Sequence, residues 1–227
     1  MPTIKSPPTL HGVGGLVVIT GGEGGLGRAL HAAFENAGHA VLAPGHRELD
    51  VTDPEAVRAF FRLHQPELLV CNAGITRDAP LARLDEVSWD EVLAVSLRGA
   101  ARCAAAASRP MLRARHGHIV FISSYSALHP PVGQVAYASA KAGLIGLSKS
   151  LARELGPAGI RVNAILPGFL DTPMTESLSE DRREQVRRDH ALGRFNTPDA
   201  VAAFLAYLHD NLPHTSGQIF QLDSRVC

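Results

Sequence analysis

A glycine-rich run between a short apolar segment and a helical pattern constrains this sequence more than any other feature. Residues 16–19 are wholly apolar and mostly β-branched, which indicates a strand buried on both faces of a parallel sheet. Residues 20–27 read Thr-Gly-Gly-Glu-Gly-Gly-Leu-Gly, and a helical pattern covers 28–37. Glycines between a strand and a helix let backbone approach a pyrophosphate at the positive helix N-terminus, although a plain flexible turn has the same composition. The order of strand, glycines and helix favours the phosphate-binding loop.

Strands alternate with helices along the rest of the chain. Strand patterns lie at about residues 39–43, 67–70, 118–122, 160–165 and 218–222. Helical patterns separate them, and two of these begin at the capping sequences 52–55 and 88–91. The alternation predicts an α/β fold, a doubly wound Rossmann-type parallel sheet flanked by helices, with ligands at the carboxyl ends of the strands.

The segment after the second strand is unusually short. Residues 44–49 leave no room for a crossover helix, which needs about a dozen residues, before Asp50 and Val51. We therefore expect a shortened connection between strands 2 and 3. The chain of 227 residues suits one domain, with a loose lead at 1–14 and a charged candidate lid at about 174–195.

Composition excludes several classes of function. The 22 basic and 22 acidic residues cancel, so no excess of positive charge is available for a nucleic acid. No stretch of about 18 apolar residues occurs, which predicts no membrane span. The three cysteines lack metal-ligand spacing, and no acidic or histidine cluster suggests a metal. We expect reduced thiols in a cytoplasmic protein without a metal.

A second feature, at residues 124–141, carries the chemistry. Tyr137 and Lys141 are four positions apart in a helical pattern, so both side chains lie on one face. A nearby ammonium lowers the pKa of a phenol, and such a phenol exchanges protons with a carbonyl or alcohol oxygen near neutral pH. Ser124 adds a hydroxyl able to hydrogen-bond the same oxygen. Pairs at this spacing also occur on ordinary helix surfaces, so the neighbouring motifs decide between the two interpretations.

Together, these motifs resemble those of the compact branch of the short-chain dehydrogenase/reductase family over nearly the whole chain. The matching elements are the Thr-Gly-x-x-x-Gly-x-Gly loop at 20–27, Asn-Ala-Gly at 72–74, the Ser, Tyr and Lys at 124, 137 and 141, and Pro-Gly with Thr at 167–172. Residues 161–164 and 167–174 resemble the branch that contains 3-oxoacyl-acyl-carrier-protein reductases. The resemblance implies one NAD(P)-binding domain at 1–227 and an oxidoreductase that reduces a ketone to a secondary alcohol.

The resemblance also assigns roles to the matched residues. It implies that Tyr137 donates the proton in reduction, that Lys141 lowers the pKa of Tyr137 and binds the nicotinamide ribose, and that Ser124 polarises the carbonyl. Ser96 stands where the family usually has an asparagine that supports a proton-relay water. The implied cofactor-binding residues are Thr20, Gly21, Gly25, Leu26, Gly27, Arg47, Asp50, Val51, Asn72, Ala73, Gly74, Tyr137, Lys141, Pro167, Gly168, Leu170 and Thr172.

Two of these residues have simpler interpretations as well. Asn72 is also interpretable as a residue that only stabilises a turn, and Thr172 as a residue that only caps a helix. Both alternatives remain open on the sequence alone.

The choice between NADP and NAD depends on the end of the second strand. An acidic residue there holds the adenosine ribose in NAD-preferring proteins, but this chain has Gly45, and Arg47 two positions later can accept a 2′-phosphate. Glu23 in the glycine loop argues against that role, and Arg47 is equally able to pair with Glu48 or Asp50. We expect NADP(H) to be favoured, with NAD(H) as the alternative.

Partners and rival functions follow from the same resemblance. It implies a small carbonyl or alcohol substrate, free or carrier-bound, and a homo-oligomer, a tetramer or dimer, formed through helices at 88–113 and 136–156. The alanine stripe at residues 100–107 fits such an interface and fits core packing equally well. The rival functions are an NAD-dependent secondary-alcohol dehydrogenase and a non-enzymatic cofactor-binding sensor or scaffold, the second motivated by Ser96.

Overall fold

The computed structural model describes residues 14–172, 175–176 and 178–225. These residues form a six-stranded parallel sheet in the order β2-β1-β3-β4-β5-β6. The strands are β1 Gly14–Ile19, β2 His39–Leu42, β3 Leu68–Cys71, β4 Gly117–Ile122, β5 Ile160–Leu166 and β6 Ile219–Gln221. The chain runs outward from β1 to β2 and returns to β3 beside β1, so the carboxyl ends of β1 and β3 border a crevice. The predicted doubly wound α/β fold is confirmed.

Helices cover both faces of this sheet. They are α1 Gly25–Asn36, α2 Pro54–Leu63, α3 Glu86–Leu93, α4 Ala100–Ala114, α5 Val135–Leu155, α6 Glu180–Arg188 and α7 Pro198–Asn211. Alternate strand residues point to opposite faces, so each strand feeds two apolar clusters. One cluster packs the sheet against α2, α4 and α5, and the other packs it against α1 and α7. Each strand is therefore covered on both sides, as its apolar sequence predicts.

The segment at residues 43–53 contains neither a helix nor a strand. As expected, no crossover helix follows the second strand, but no further strand forms near Asp50 either. The Asn-Ala-Gly element at 72–74 follows the third strand, β3; the family resemblance had implied that a fourth strand precedes it. The helix that comes next is α2, where the Asp53 side chain accepts hydrogen bonds from the N–H groups of Glu55 and Ala56. The short segment leaves β2 as an edge strand of the sheet.

The prediction of one long helix at 88–113 is wrong in two respects. It begins earlier, at Glu86, because Asp85 accepts a hydrogen bond from the Ser88 N–H at 2.8 Å and acts as the N-cap. It is also divided, since a π-helical turn, Ala94–Gly99, separates α3 from α4. A π turn shifts the hydrogen-bond ladder by one residue and reorients the side chains that follow.

Two predicted segments fall partly outside the described residues. Residues 1–13 of the predicted lead lie outside them, and Gly14 already belongs to β1. In the candidate lid, residues 174 and 177 lie outside them, and the rest contains α6. In the described part of the chain, no helix is both long and apolar enough to cross a membrane.

Candidate active site

Three predicted catalytic side chains meet at the carboxyl end of β4. Ser124 follows that strand, and Tyr137 and Lys141 lie one turn apart on α5. A hydrogen bond joins Ser124 to Tyr137, and the Lys141 Nζ lies 5.5 Å from the centroid of the Tyr137 ring. The fold thus brings together a phenol, a hydroxyl and an amine.

Lys141 is held by the backbone of β4. Its side chain is buried, and its Nζ donates a hydrogen bond to the carbonyl oxygen of Ile122 at 2.7 Å. Burial disfavours the charged form and lowers the pKa of Lys141 to about 8. A buried amine of this kind has a fixed position and can give up a proton near neutral pH.

The predicted lowering of the Tyr137 pKa is wrong for this structure. Burial raises the pKa of Tyr137 to about 12, and the Asp78 carboxylate adds to the rise, whereas the hydrogen bond from Ser124 opposes it. The cost of removing phenolate from water therefore outweighs the stabilisation expected from Lys141. The phenol keeps its proton near neutral pH, as an unperturbed phenol also does, and burial makes it a weaker acid.

Ser96 lies inside the π turn and is fully buried. Its Oγ accepts a hydrogen bond from the Ile75 N–H at 3.2 Å. A Cβ added at Gly74 would lie 3.3 Å from the Lys141 Nζ and 3.4 Å from the Ser96 Oγ. Glycine at position 74 therefore leaves Lys141 and Ser96 bordering the same small space.

The glycine loop at 20–27 has the geometry of an anion cradle. Gly21 has φ +67°, and a Cβ at Gly27 would lie 2.5 Å from the Gly21 carbonyl oxygen. Gly24 is the N-cap of α1, and neither a capping side chain nor an acidic residue in the first turn satisfies the N–H groups there. Free N–H groups at a positive helix end fit a pyrophosphate, so the residues present fit a dinucleotide. Leu26 packs into the core, so its side chain does not line this loop.

Two hydrogen-bonding residues hold the loop against β3. The buried Thr20 Oγ1 accepts hydrogen bonds from the N–H groups of Asn72 and Ala73, both at 3.1 Å. The Asn72 Nδ2 donates to the carbonyl oxygens of Thr20 and Gly21 at 3.1 and 3.0 Å. The Asn72 side chain therefore acts on the glycine loop itself, beyond the local turn that its sequence also suggested.

Asp50 and Arg47 lie beyond the end of β2. The Asp50 Oδ1 accepts hydrogen bonds from the Thr52 hydroxyl at 2.7 Å and the Thr52 N–H at 2.8 Å, and these lower the pKa of Asp50. Arg47 is exposed and pairs with neither Glu48 nor Asp50 among the described residues. Its guanidinium is therefore available to a ligand. Val51 is buried in the core between sheet and helices.

The loop after β5 carries the remaining predicted residues. Gly168 has φ +85°, and a Cβ there would lie 2.6 Å from the Asp223 Cβ. The Pro167 carbonyl accepts a hydrogen bond from the Asn196 side chain at 2.9 Å, and Leu170 is buried. The Thr172 N–H donates to the Thr175 Oγ1 at 3.1 Å.

Thr172 does not cap a helix, because Ser179 is the N-cap of α6. An open groove of about 550 Å³ adjoins this loop, lined by Asp171, Thr172, Glu176, Leu178, Glu180 and Arg183. Arg183 forms an ion pair with Asp171 across it. The described part of the candidate lid therefore borders the loop after β5.

Sequence reasoning missed a bridge beside Tyr137. The Gln134 Nε2 donates to Asp78 at 2.7 Å, and the Ser126 Oγ donates to the Gln134 Oε1 at 2.9 Å. The bridge joins the loop after β3 to the segment between Ser124 and α5. Gln134 stands three positions before Tyr137, which was a usable signal, but no sequence motif pointed to Asp78.

A polar cluster lies at the opposite end of the sheet. The fold brings together residues that are far apart in the sequence, since His39, His209 and Asp210 place atoms able to bind a metal within 4.8 Å of one another. Hydrogen bonds already engage them: His39 Nε2 lies 3.0 Å from Asp210, and Arg161 donates to His209 Nδ1 at 3.3 Å. A donor at Nδ1 leaves the proton of neutral His209 on Nε2, so that nitrogen has no free lone pair for a metal. We assign this cluster a structural role.

Known proteins match this architecture along nearly the whole chain. A family profile described as Enoyl-(Acyl carrier protein) reductase matches residues 9–224. The 3-oxoacyl-[acyl-carrier-protein] reductase FabG of Thermotoga maritima is 36% identical over 237 residues, covering 92% of this chain and 96% of the relative. The FabG of Escherichia coli strain K12 is 34% identical over 236 residues, with coverage of 92% and 96%.

A solved structure agrees with the sequence relatives. The crystal structure of gox2181 superposes with a TM-score of 0.88 at 28% identity, covering 93% of this chain and 95% of that one. The similarity in sequence and the similarity in fold therefore agree. The chain belongs to the short-chain dehydrogenase/reductase family and is an NAD(P)-dependent oxidoreductase.

Proposed function

We propose that the protein reduces a ketone to a secondary alcohol with Tyr137 as the proton donor. One observation carries this proposal: the buried Tyr137 phenol hydrogen-bonds Ser124, and the Lys141 Nζ lies 5.5 Å from the centroid of its ring. A phenol is protonated near neutral pH. Ketone reduction requires such an acid beside the carbonyl oxygen.

Each side chain has a defined part in this reaction. When bound, the reduced nicotinamide supplies the hydride that adds to the carbonyl carbon. The Ser124 hydroxyl hydrogen-bonds the carbonyl oxygen and stabilises its developing negative charge, and Tyr137 gives that oxygen its proton. Lys141 and Ser96, which border the space at Gly74, return a proton to Tyr137 through water.

We propose a β-keto substrate of the 3-oxoacyl type, free or carrier-bound. The relatives named 3-oxoacyl-[acyl-carrier-protein] reductases support this class, because they match over more than nine-tenths of this chain. In this proposal residues 1–227 act as one NAD(P)-binding domain, and the segment at 174–195 is its lid.

NADPH is the proposed cofactor, with a small preference over NADH. Arg47 supports this choice because its exposed guanidinium is unpaired among the described residues and lies just beyond the end of β2. A guanidinium binds a phosphate with paired, charge-assisted hydrogen bonds.

A homo-oligomer, a dimer or tetramer, completes the proposal. A groove of about 330 Å³ between α4 and α5 supports it, because small and apolar side chains that a second copy can cover make up most of its lining.

Cys71 and Cys103 are free and buried, which fits the reducing cytoplasm as the proposed location.

The test is to measure cofactor binding and turnover in the wild-type protein and in Tyr137→Phe. The wild type should bind NADPH and oxidise it in the presence of a short 3-oxoacyl thioester. Tyr137→Phe should bind NADPH as tightly but turn over about 10²–10⁴-fold more slowly, because it lacks the proton donor. Tyr207→Phe, at an exposed position on α7, is the matched control and should behave as wild type.

Three other outcomes would contradict parts of this proposal. Absence of turnover on a broad panel of ketones and alcohols with either cofactor, despite tight binding, would favour a sensor or scaffold. Tighter binding of NADH with preferred oxidation of secondary alcohols would favour the dehydrogenase. Full activity of Tyr137→Phe would exclude Tyr137 as the donor.

A further inference from the structure

The carboxyl group of Glu23 lies beside Gly45, close to the position where many dinucleotide-binding folds carry an acidic residue. Gly45 lies beyond the end of β2, and a Cβ built on it would lie 2.5 Å from the Glu23 Oε2. The carboxyl group of Glu23 therefore occupies the volume that a side chain at position 45 would take. It reaches that volume from the glycine loop.

Backbone contacts place Glu23 there. The Gly22 N–H donates a hydrogen bond to the Pro44 carbonyl oxygen at 3.1 Å, and a Cβ at Gly22 would collide with the backbone of Ala43. The glycine loop thus lies directly against the end of β2. Its next residue, Glu23, must lie beside Gly45.

Gly45 is not required by its backbone conformation. It is absent from the glycines with positive φ, so a residue with a side chain could adopt its conformation. The atoms nearest to such a side chain would be those of the Glu23 carboxyl group, at the end of an exposed side chain. With glycine at position 45, the Glu23 carboxylate can occupy this volume.

The chemistry of this place identifies what the carboxylate binds. In dinucleotide-binding folds, an acidic residue about 20 positions beyond the glycine loop accepts a hydrogen bond from the adenosine ribose 2′-hydroxyl. Gly45 stands at that spacing from the loop without a side chain. A carboxylate in the same volume accepts the same hydrogen bond and repels a 2′-phosphate.

We propose that Glu23 is a specificity-determining residue that recognises the adenosine ribose hydroxyls and opposes the 2′-phosphate of NADPH. The inference rests on the proposed binding of NADPH through Arg47. Glu23 and Arg47 act in opposite directions on the same phosphate, which keeps the preference between the two cofactors small. The neighbouring Glu48 adds to the negative charge at this place, because its Oε2 accepts a hydrogen bond from the Gly45 N–H at 2.9 Å.

Equilibrium binding of NADPH and NADH tests this role without any turnover. Glu23→Gln should strengthen NADPH binding relative to NADH by about tenfold, the size expected for a few ångströms of separation between charges in partly aqueous surroundings. Glu35→Gln is the matched control: it removes the same charge near the other end of α1, where Glu35 pairs with His31, and should leave the ratio unchanged. An unchanged ratio in Glu23→Gln would overturn the proposal.

Moving the carboxylate gives a second, independent test. Gly45→Asp alone should place a second carboxylate beside Glu23 and weaken NADPH binding further relative to NADH. The double variant Glu23→Ser, Gly45→Asp should return that ratio to near its wild-type value, since one carboxylate again lies in this volume. A double variant that favours NADPH as strongly as Glu23→Gln does would contradict the proposal. Failure of the wild type to bind either cofactor would instead overturn the proposed function.

Discussion

Burial decides the protonation of the candidate catalytic residues more than their neighbours in sequence do. Removal from water raises the pKa of Tyr137 to about 12 and lowers that of Lys141 to about 8. Helical spacing placed an amine near a phenol, but spacing carries no information about how much water each group loses. The direction of the Tyr137 shift was predicted incorrectly for that reason.

The Thr20 hydroxyl is one of the groups that join the cofactor loop to the segment after β3, and the effect of its removal should be measurable. Thr20→Val keeps the shape of the side chain but leaves the N–H groups of Asn72 and Ala73 without their acceptor. An unsatisfied buried N–H costs about 1–3 kcal/mol, so we expect the free energy of unfolding to fall by about that amount. Urea denaturation measures the loss.

Thr20→Ser is the control for this prediction because it keeps the hydroxyl and loses only a methyl group. It should retain most of the stability and the affinity for NADPH. An equal loss of stability in the two variants would show that the methyl group, and not the hydrogen bonds, matters at position 20.

At the scale of elements, the π turn between α3 and α4 determines where Ser96 points. The helical sequence pattern continues through Ala94–Gly99, so the sequence predicted one uninterrupted helix. The turn adds a residue to the ladder and directs the Ser96 hydroxyl to the Ile75 N–H. A side chain expected to serve a proton relay therefore also holds the loop after β3.

Ser96→Ala should affect both functions. We expect the free energy of unfolding to fall by about 1–3 kcal/mol, because the Ile75 N–H loses its acceptor. We also expect kcat to fall while KM for the ketone stays near its wild-type value, since the proton returns to Tyr137 more slowly. Denaturation and steady-state kinetics, with the solvent isotope effect on kcat, check these results.

Ser108→Ala is the matched control on α4, where the hydroxyl only bonds back to the Ala105 carbonyl oxygen. It should leave stability and kcat near wild type. Ser96→Ala with unchanged kcat and unchanged isotope effect would remove Ser96 from the proposed relay, whatever its effect on stability.

At the scale of the whole molecule, the fold gathers histidines at the amino ends of the strands. The Asn163 Nδ2 donates to His118, whose Nδ1 lies 3.3 Å from that of His209, and His209 also contacts Arg161 and lies 3.8 Å from Glu67. Burial is the main cause that lowers the pKa of His209 to about 4, and Arg161 adds to it. Burial and Arg161 also hold the pKa of His118 well below its ordinary value.

Stability should therefore fall as the pH falls from about 6.5 towards 4. The unfolded chain protonates His209 near its ordinary pKa of 6.5, whereas the folded protein does so only near 4. Between about pH 4 and 6.5 the unfolded state binds more protons than the folded state, so acid favours unfolding. Above about pH 6.5 His209 is mostly neutral in both states, and its titration no longer lowers the stability of the folded protein. We expect His209 alone to remove about 2 kcal/mol between about pH 7.5 and pH 5, as measured by urea denaturation at each pH.

His209→Gln should show a smaller dependence of stability on pH, because the titrating group is gone. His31→Gln, which removes a half-exposed histidine from α1, is the control and should keep the wild-type slope. A wild-type unfolding free energy that is the same at the two pH values would contradict the prediction.

Local patterns account for the elements and for the motifs of the candidate site. Apolar runs predicted β3, β4 and β5 to within a residue or two, because a strand covered on both faces has no polar side to interrupt its pattern. Glycines between β1 and α1 predicted the turn, since only they allow backbone to pass as closely as it does at Gly27. The helical spacing of Tyr137 and Lys141 placed them on one face of α5.

What the sequence by itself determined is therefore the α/β architecture, the glycine loop and the order of Ser124, Tyr137 and Lys141, because each depends on neighbours a few positions apart. The tertiary structure alone decided the pKa values, the inward turn of Ser96, the histidine cluster and the contact of Glu23 with Gly45. These depend on groups far apart in the chain, whose distances are fixed only when the strands pair and the helices cover them. Desolvation and close approach are properties of that packing, and no local pattern encodes them.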